Sequence, residues 1–305
     1  MLNYSKISKK PRSFQSFTGI AVEQFDFLSQ IIESKYKDAE KKRLSKRKRK
    51  RGIGAGRPFK LTLKDRLLML LMYYRMYASY ELIGFLFGLD QSNVYRDIKY
   101  LEPAVKSSIP IPQRKYVDAK KATTLEELQR YFPELIAITD GTEQPIPRPK
   151  DKRKRKTHYS GKKKRHTVKN QITVNLRGEI IHKPPHSPGR KNDYGIFKIK
   201  HPVLPAVMNF YDLGYLGVEK DFPKQISIIP YKKKKGMRLT DSQKEWNKLQ
   251  SKIRIKAEHA ISKVKKFRIN CDVFRNRLCR YDVISDIVCG LVNFKIRWKE
   301  FVVIS

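Results

Sequence analysis

Two apolar runs in this sequence lead into an aspartate with a glycine close behind it. Leu135, Ile136, Ala137 and Ile138 lead into Asp140-Gly141, and Val207 to Tyr211 lead into Asp212-Leu213-Gly214. A single acid at the end of a buried strand need only cap a turn. Two acids delivered by two strands to one sheet edge are different, because like charges held close stay ionised only with a cation between them. A hard cation such as Mg²⁺ takes oxygen ligands, usually one or two carboxylates plus a substrate phosphate. A third acid, Glu258, lies in a long basic stretch between Arg254 and Lys265. Those spacings put all three on one helical face. Alone, Glu258 reads as an ordinary ion pair with Arg254 on a solvated helix.

The surroundings of the first two acids favour a polyanion. Between them runs a basic excursion, Lys150 to Lys156 followed by Lys162, Lys163, Lys164 and Arg165. Its density suits a phosphate backbone, and each phosphate neutralised would add roughly 0.9 to the magnitude of the salt slope. The whole chain carries a formal charge of +39 over 305 residues. Such an excess repels itself in a compact chain unless an anionic partner offsets it. No apolar run approaches the roughly 18 residues of a spanning helix, and Met1 to Lys10 is polar, unlike a secretory signal. The three cysteines, Cys271, Cys279 and Cys289, lack metal-ligand spacing, and their odd number fits a reducing cytosol. The expectation is a cytoplasmic, nucleoid-associated protein with duplex DNA as partner and no membrane. No Ser–His or Cys–His nucleophile is called for. His166 and His259 read as structural or phosphate-orienting, and Glu143 and Asp193 as acids of turns or supporting positions.

The elements that must position these residues follow from periodicity. Residues 1–58 read as an N-terminal helix, over 19 to 41, and a basic linker: the charge block Lys41 to Arg51, then glycines to Pro58. Residues 59–105 read as an all-α helix-turn-helix domain. Thr62 with Asp65 makes a capping box, Ser79 caps a second helix that stops at Gly88, and Asp90 caps a third over Gln91 to Leu101, closed before Pro103. On the third, Val94, Ile98 and Leu101 face a core, leaving Gln91, Ser92, Asn93, Tyr95, Arg96 and Lys99 outward for a major groove. Residues 106–134 read as a connector with a helix around Leu125 to Arg130. Residues 135–305 read as an α/β domain, a mixed sheet with flanking helices. Its strands are expected at 135–139, 167–176, 178–183, 206–211 and 226–229, and its helices near 192–199, 241–266 and 281–298.

At this point the motifs carry a resemblance. The chain resembles the DDE transposases of bacterial insertion sequences, in the Harbinger-related group. The match runs through Asp140-Gly141-Thr142-Glu143, Tyr159-Ser160-Gly161 and the basic residues to Thr167, Pro188-Gly189-Arg190-Lys191-Asn192-Asp193, Asp212-Leu213-Gly214-Tyr215, Arg254-x3-Glu258-His259 and Lys265-x-Phe267-Arg268. The resemblance implies an RNase H-like catalytic domain with Asp140, Asp212 and Glu258 as a metal-binding catalytic triad. It also implies two Mg²⁺ (or Mn²⁺) ions per site, DNA contacts from Arg254 and Lys265, and a homo-oligomer assembled on DNA. Ser251 stands where the family often has tyrosine. The implied activity is end cleavage and 3′-end transfer to target DNA, both in-line displacements. A catalytically inactive, transposon-derived DNA-binding protein is the alternative, and intact acids argue against it. An RNA-directed enzyme fits less well, since the A-form major groove is too narrow for a helix.

Overall fold

A computed structural model describes residues 1–45, 52, 58–200 and 206–300. Most of the expected basic and glycine-rich linker, residues 46–51 and 53–57, lies outside the described residues. The chain divides into two compact units. The first is Met1–Ile109 with Lys266–Asn270 and the stretch from Arg297; the second is Pro110–Lys265 with Cys271–Ile296.

The first unit is helical: α1 (Tyr4–Ile7), α2 (Pro11–Thr18), α3 (Val22–Leu44), α4 (Leu63–Met76), α5 (Tyr80–Phe87) and α6 (Gln91–Ser108). Local cap chemistry sets its boundaries. Thr62 accepts from the Asp65 backbone N–H, Ser79 from Leu82, and Asp90 from Ser92. Gly88 closes α5 in the left-handed conformation (φ 65°), where glycine has no Cβ penalty. A Cβ at Gly84 would lie 2.4 Å from the Leu89 carbonyl oxygen, so the turn between α5 and α6 is packed backbone against backbone. Every residue from Arg66 to Tyr74 is buried, and a helix apolar all round needs neighbours all round. They include α2, α6 and the short 3-10 turn Arg268–Asn270. Phe267 fills the space where a Cβ on Gly19 would fall, and Arg75 lies over its ring and donates to the Lys266 carbonyl.

One boundary differs from expectation. The third helix does not close before Pro103 but runs through it to Ser108. The proline removes one donor, yet Leu101, Ala104 and Val105 continue the buried stripe of Val94 and Ile98, and that packing outweighs the lost bond. Asp97 is also buried, against Arg66 at 3.5 Å, where the sequence pattern left no polar residue inward.

The second unit is a mixed sheet with helices on its faces. In chain order it contains α7 (Pro112–Lys120), α8 (Leu125–Gln129), β1 (Ile136–Pro145), α9 (Lys152–His158), β2 (Tyr159–Ser160), β3 (Arg165–Val174), β4 (Ile180–His182) and β5 (Ser187–Pro188). These are followed by α10 (Asp193–Lys200), β6 (Met208–Phe210), α11 (Val218–Asp221), β7 (Ser227–Ile228), α12 (Asp241–Lys265) and α13 (Tyr281–Ile296). The strand order is β2-β3-β1-β6-β7, with β4 and β5 also pairing β3. β1 pairs β3 antiparallel and β6 parallel, and β6 pairs β7 parallel. This is the RNase H-like arrangement preceded by helix-turn-helix that the sequence implies. The segment expected as a connector carries α7 and α8. Ala119, Leu128 and Phe132 from them share a buried cluster with Ala137, Ile181 and Val207 of the sheet. On the other face, Asn170 and Gln144 bond the Tyr281 hydroxyl of α13.

Under α13 the core holds a charged cluster. Lys183 is fully buried, 3.1 Å from Asp286 and 3.5 Å from Asp282. Asp282 also accepts from the backbone N–H of His186 (2.8 Å) and pairs with its ring Nδ1 (2.9 Å). Burial alone would raise the Asp282 carboxyl, but the His186 hydrogen bonds and the Lys183 charge hold it well below the usual carboxylate range. A depressed acid stabilises the fold above its unfolded value, near 3.9, and that contribution is lost as pH falls towards the folded value. Asp282→Asn is therefore expected to lower the melting temperature at pH 6, with the gap to the parent narrowing by pH 3. A gap that stays constant across this range would refute the assignment.

Candidate active site

The pairing register places the first two acids. Ile138 of β1 is level with Phe210 of β6, so Asp140 and Asp212 each stand two residues beyond a paired position on adjacent parallel strands. Side chains alternate along a strand, hence both acids continue the faces of Ile138 and Phe210. β6 ends at Phe210, whereas β1 does not end at Asp140. It runs on to Pro145 against β3, a correction to the expected strand end. Asp140 thus sits where β1 loses its parallel neighbour, which leaves one flank of a rigid strand open. Each acid also accepts a nearby glycine N–H at 2.7 Å, Asp140 from Gly141 and Asp212 from Gly214. A Cβ on Gly214 would fall 2.8 Å from the Asp212 carboxylate, so the glycine there is required by close approach.

Glu258 and Arg254 come from α12, which packs on β1, β3 and β6. Gln250, Ala257, Ile261 and Val264 form its buried stripe. Arg254 is half-buried with its Nε enclosed and without a hydrogen-bond partner, while Glu258 is exposed beside Ala257. Both act on Asp140. Burial is the largest influence and pushes its carboxyl up to about 6; the Gly141 N–H and the Arg254 charge pull it down, and the charges of Asp212 and Glu258 raise it. One carboxyl therefore feels both other acids and a guanidinium. Among the described residues no three of His, Cys, Asp or Glu are already close enough to hold a metal ion. The donor chemistry nevertheless fits a hard divalent cation: three carboxylates, two of whose charges raise the carboxyl of the third and would be offset by a cation.

With this geometry in hand, the comparisons with known proteins are specific. The family model of DDE superfamily endonucleases matches residues 139–293. The chain is 32% identical over 292 residues to the probable transposase for insertion sequence element IS702 of Microchaete diplosiphon, spanning 94% of this chain and 96% of that one. The chain belongs to the DDE superfamily endonucleases. The helix-turn-helix model of the same superfamily matches residues 59–111. The putative transposase for insertion sequence element IS112 of Streptomyces albus G is 22% identical over 268 residues, 86% of this chain and 87% of that one. No solved structure matches the chain.

Other expected site residues of this DDE endonuclease fall in distinct places. Gln91, Ser92, Asn93, Arg96 and Lys99 are exposed on α6; Tyr95 is half-buried, with its ring edge on Tyr80 at 5.7 Å. Lys162, Lys163, Lys164 and Arg165 form the exposed turn and start of the β2–β3 hairpin, with Lys164 left-handed at φ 52°. Lys265 is half-buried at the end of α12. The excursion before that hairpin is partly helical: Asp151 caps α9, accepting from Lys154 at 2.7 Å. Glu143 has not turned away, as a strand ending at Asp140 would require. It lies within β1 opposite Lys169, accepts from Thr167 at 2.9 Å and pairs with Lys169 at 3.5 Å.

Sequence reasoning missed the support behind the acids. Lys169 also reaches Asp193 at 3.2 Å. Gln171, opposite Gly141, donates to the Asp193 carbonyl (2.6 Å) and the Tyr215 hydroxyl (3.0 Å). The Tyr215 hydroxyl is driven well above 10 by burial first, then by Asp193, Asp140 and Asp212. Asp193 faces Gly141, where a Cβ would lie 3.1 Å from its carboxylate. Because neighbours in a strand face opposite ways, Asp193 lies on the side of β1 away from Asp140. The polar run Lys169-Asn170-Gln171 in the middle of a strand was the available signal.

Proposed function

We propose that this chain is a transposase that binds the terminal repeats of its element, cleaves phosphodiester bonds there and transfers the 3′ ends to target DNA. One observation carries the reading: Asp140 and Asp212 each follow by two residues the level pair Ile138 and Phe210 of adjacent parallel strands, with Asp212, Glu258 and Arg254 all in the electrostatic field of Asp140. In this reading Asp140, Asp212 and Glu258 hold divalent cations, Mg²⁺ or Mn²⁺, two per site. When bound, such a pair stabilises the attacking and leaving oxygens of an in-line displacement. The chain's own residues position the strand. Arg254 sets a guanidinium with an unpartnered donor beside Asp140, suited to a phosphate oxygen. Lys265 continues that helical face, and the hairpin lysines follow the backbone. The α6 residues read base edges in a major groove, Arg96 foremost. A homo-oligomer on DNA, holding two ends together, belongs to the same proposal.

The DNA-binding half is tested by titrating duplexes with and without the element's terminal repeat. Arg96→Ala is expected to lose discrimination worth about 1–3 kcal/mol. Neutralising Lys162, Lys163 and Lys164 together is expected to weaken binding to every duplex and flatten the salt dependence by roughly 2–3 units. Arg96→Ala weakening both duplexes equally would move Arg96 to the backbone, and an unchanged salt slope would make the lysines a solvated face.

A further inference from the structure

Away from the three acids, the second unit holds a basic cleft of about 930 Å³, within the size range of ligand sites. Its cations come from three separate places: Arg148 after β1, Arg155 and its neighbours on α9, and Arg190 in the loop after β5. The backbone N–H of Arg190 bonds Thr157 of α9 at 3.1 Å, which ties two of these walls together. Among the described residues no Asp or Glu lines the cleft. The Nε of Arg155 is buried without a hydrogen-bond partner, and a buried donor left open is costly unless an acceptor arrives. These features describe a site for phosphate.

The rings in the same wall ask for more than phosphate. Tyr159 is 44% exposed although it is aromatic and held in a hairpin. Its ring meets that of His166 at 5.6 Å and 71°, and the register Tyr159↔His166 fixes the pair. Beyond it, none of the described residues lies within 4 Å of where a Cβ on Gly161 would be. Duplex DNA offers phosphates outward but hides its base faces. A rigid exposed ring among cations matches instead the composition of single-strand sites, where bases stack on aromatic side chains and cations follow the backbone.

We propose that this cleft receives an unpaired nucleotide of the DNA strand being processed, its base against Tyr159 and its phosphates on Arg148, Arg155 and Arg190. The proposal rests on the reading of the chain as a DNA-cleaving transposase. β1 also sets a distance. The Ile146 N–H bonds the His166 carbonyl, and six residues of strand from Asp140 span roughly 20 Å.

The test uses the full-length chain and fluorescently labelled terminal-repeat DNA, either blunt or carrying a six-nucleotide single-stranded arm. Fluorescence anisotropy is expected to show roughly tenfold tighter binding of the armed duplex by the parent protein. Tyr159→Ala should abolish that preference, Tyr159→Phe should keep it, and both should bind the blunt duplex like the parent, which also shows that they are folded. No preference by the parent, or a preference that survives Tyr159→Ala, overturns the proposal while leaving duplex binding and cleavage standing. Equal loss by Tyr159→Ala on both substrates overturns it too, making the ring a hairpin support. Failure of the parent to bind either DNA overturns the transposase reading itself.

Discussion

Replacing Glu258 by glutamine is expected to abolish divalent-dependent strand cleavage, by about 10³-fold or more, while specific end binding and the fold persist. Glu258 is exposed on a helix whose buried stripe lies elsewhere, so the change removes a charge and little packing. Asp140→Asn should be equally inactive but should differ in stability. A carboxyl raised from 3.8 to about 6 favours the protonated form in the folded state. Its ionised form therefore weakens the fold above pH 6, and the penalty disappears as pH falls towards 3.8. At pH 7 without divalent ions, Asp140→Asn should stabilise by on the order of 2 kcal/mol, or several degrees in melting temperature. Asp193→Asn should retain measurable cleavage, because Asp193 faces the other side of β1 and pairs with Lys169. An active Glu258→Gln beside a dead Asp193→Asn would overturn the triad. Unaltered or lower stability of Asp140→Asn would overturn the electrostatic account of Asp140.

The largest stability effect is expected in the buried cluster under α13. Burial opposes a charge on Lys183, yet Asp286 and Asp282 outweigh it and hold the ammonium above its ordinary value. Lys183→Met leaves Asp286, with a side chain only 2% exposed, as a buried charge without its cation. Breaking one side of such a pair typically costs about 3–5 kcal/mol. The melting temperature should fall by about 10 °C. Adding Asp286→Asn should restore most of the loss, since the isolated charge is then gone. Losses that simply add would show that Lys183 acts by packing alone.

What was legible in the sequence follows from how local the physics is. The caps Thr62, Ser79, Gly88 and Asp90 act within four residues, and the helix starts and turn they mark were readable from types and spacing. The alternating pattern of β3 and the amphipathic face of α12 were readable for the same reason. Pro103 was misread because its cost is local while the packing that overrides it comes from α3, α4 and α5. The continuation of β1 past Asp140 depends on eight residues of pairing with β3, a partner that Thr142 and Glu143 do not announce. Asp140 and Asp212 could each be seen as an acid after an apolar run, but the level pairing of Ile138 with Phe210 just before them is a property of register. Gln171 and Tyr215 take their place from tertiary contacts. The helix expected around Leu125 to Arg130 is α8, whereas α7 was passed over because its short apolar set makes a face only against Ala137 and Ile181 of the sheet.

The helical unit is discontinuous along the chain, and this governs when it can be finished. α6 is synthesised by residue 108, but Phe267, which fills the space beside Gly19, and Trp298, whose ring meets Phe27 at 5.6 Å, arrive near the end. A ribosome adding about 5–20 residues per second needs roughly 10–40 s to travel from Ile109 to Trp298. During that interval the helical unit exists without two of its aromatic contacts, the buried Phe267 and the half-buried Trp298. Its scaffold is complete only once the three acids of the second unit have also left the ribosome. Products of premature termination therefore present α6 on an unfinished support and compete poorly for whatever the full-length chain binds.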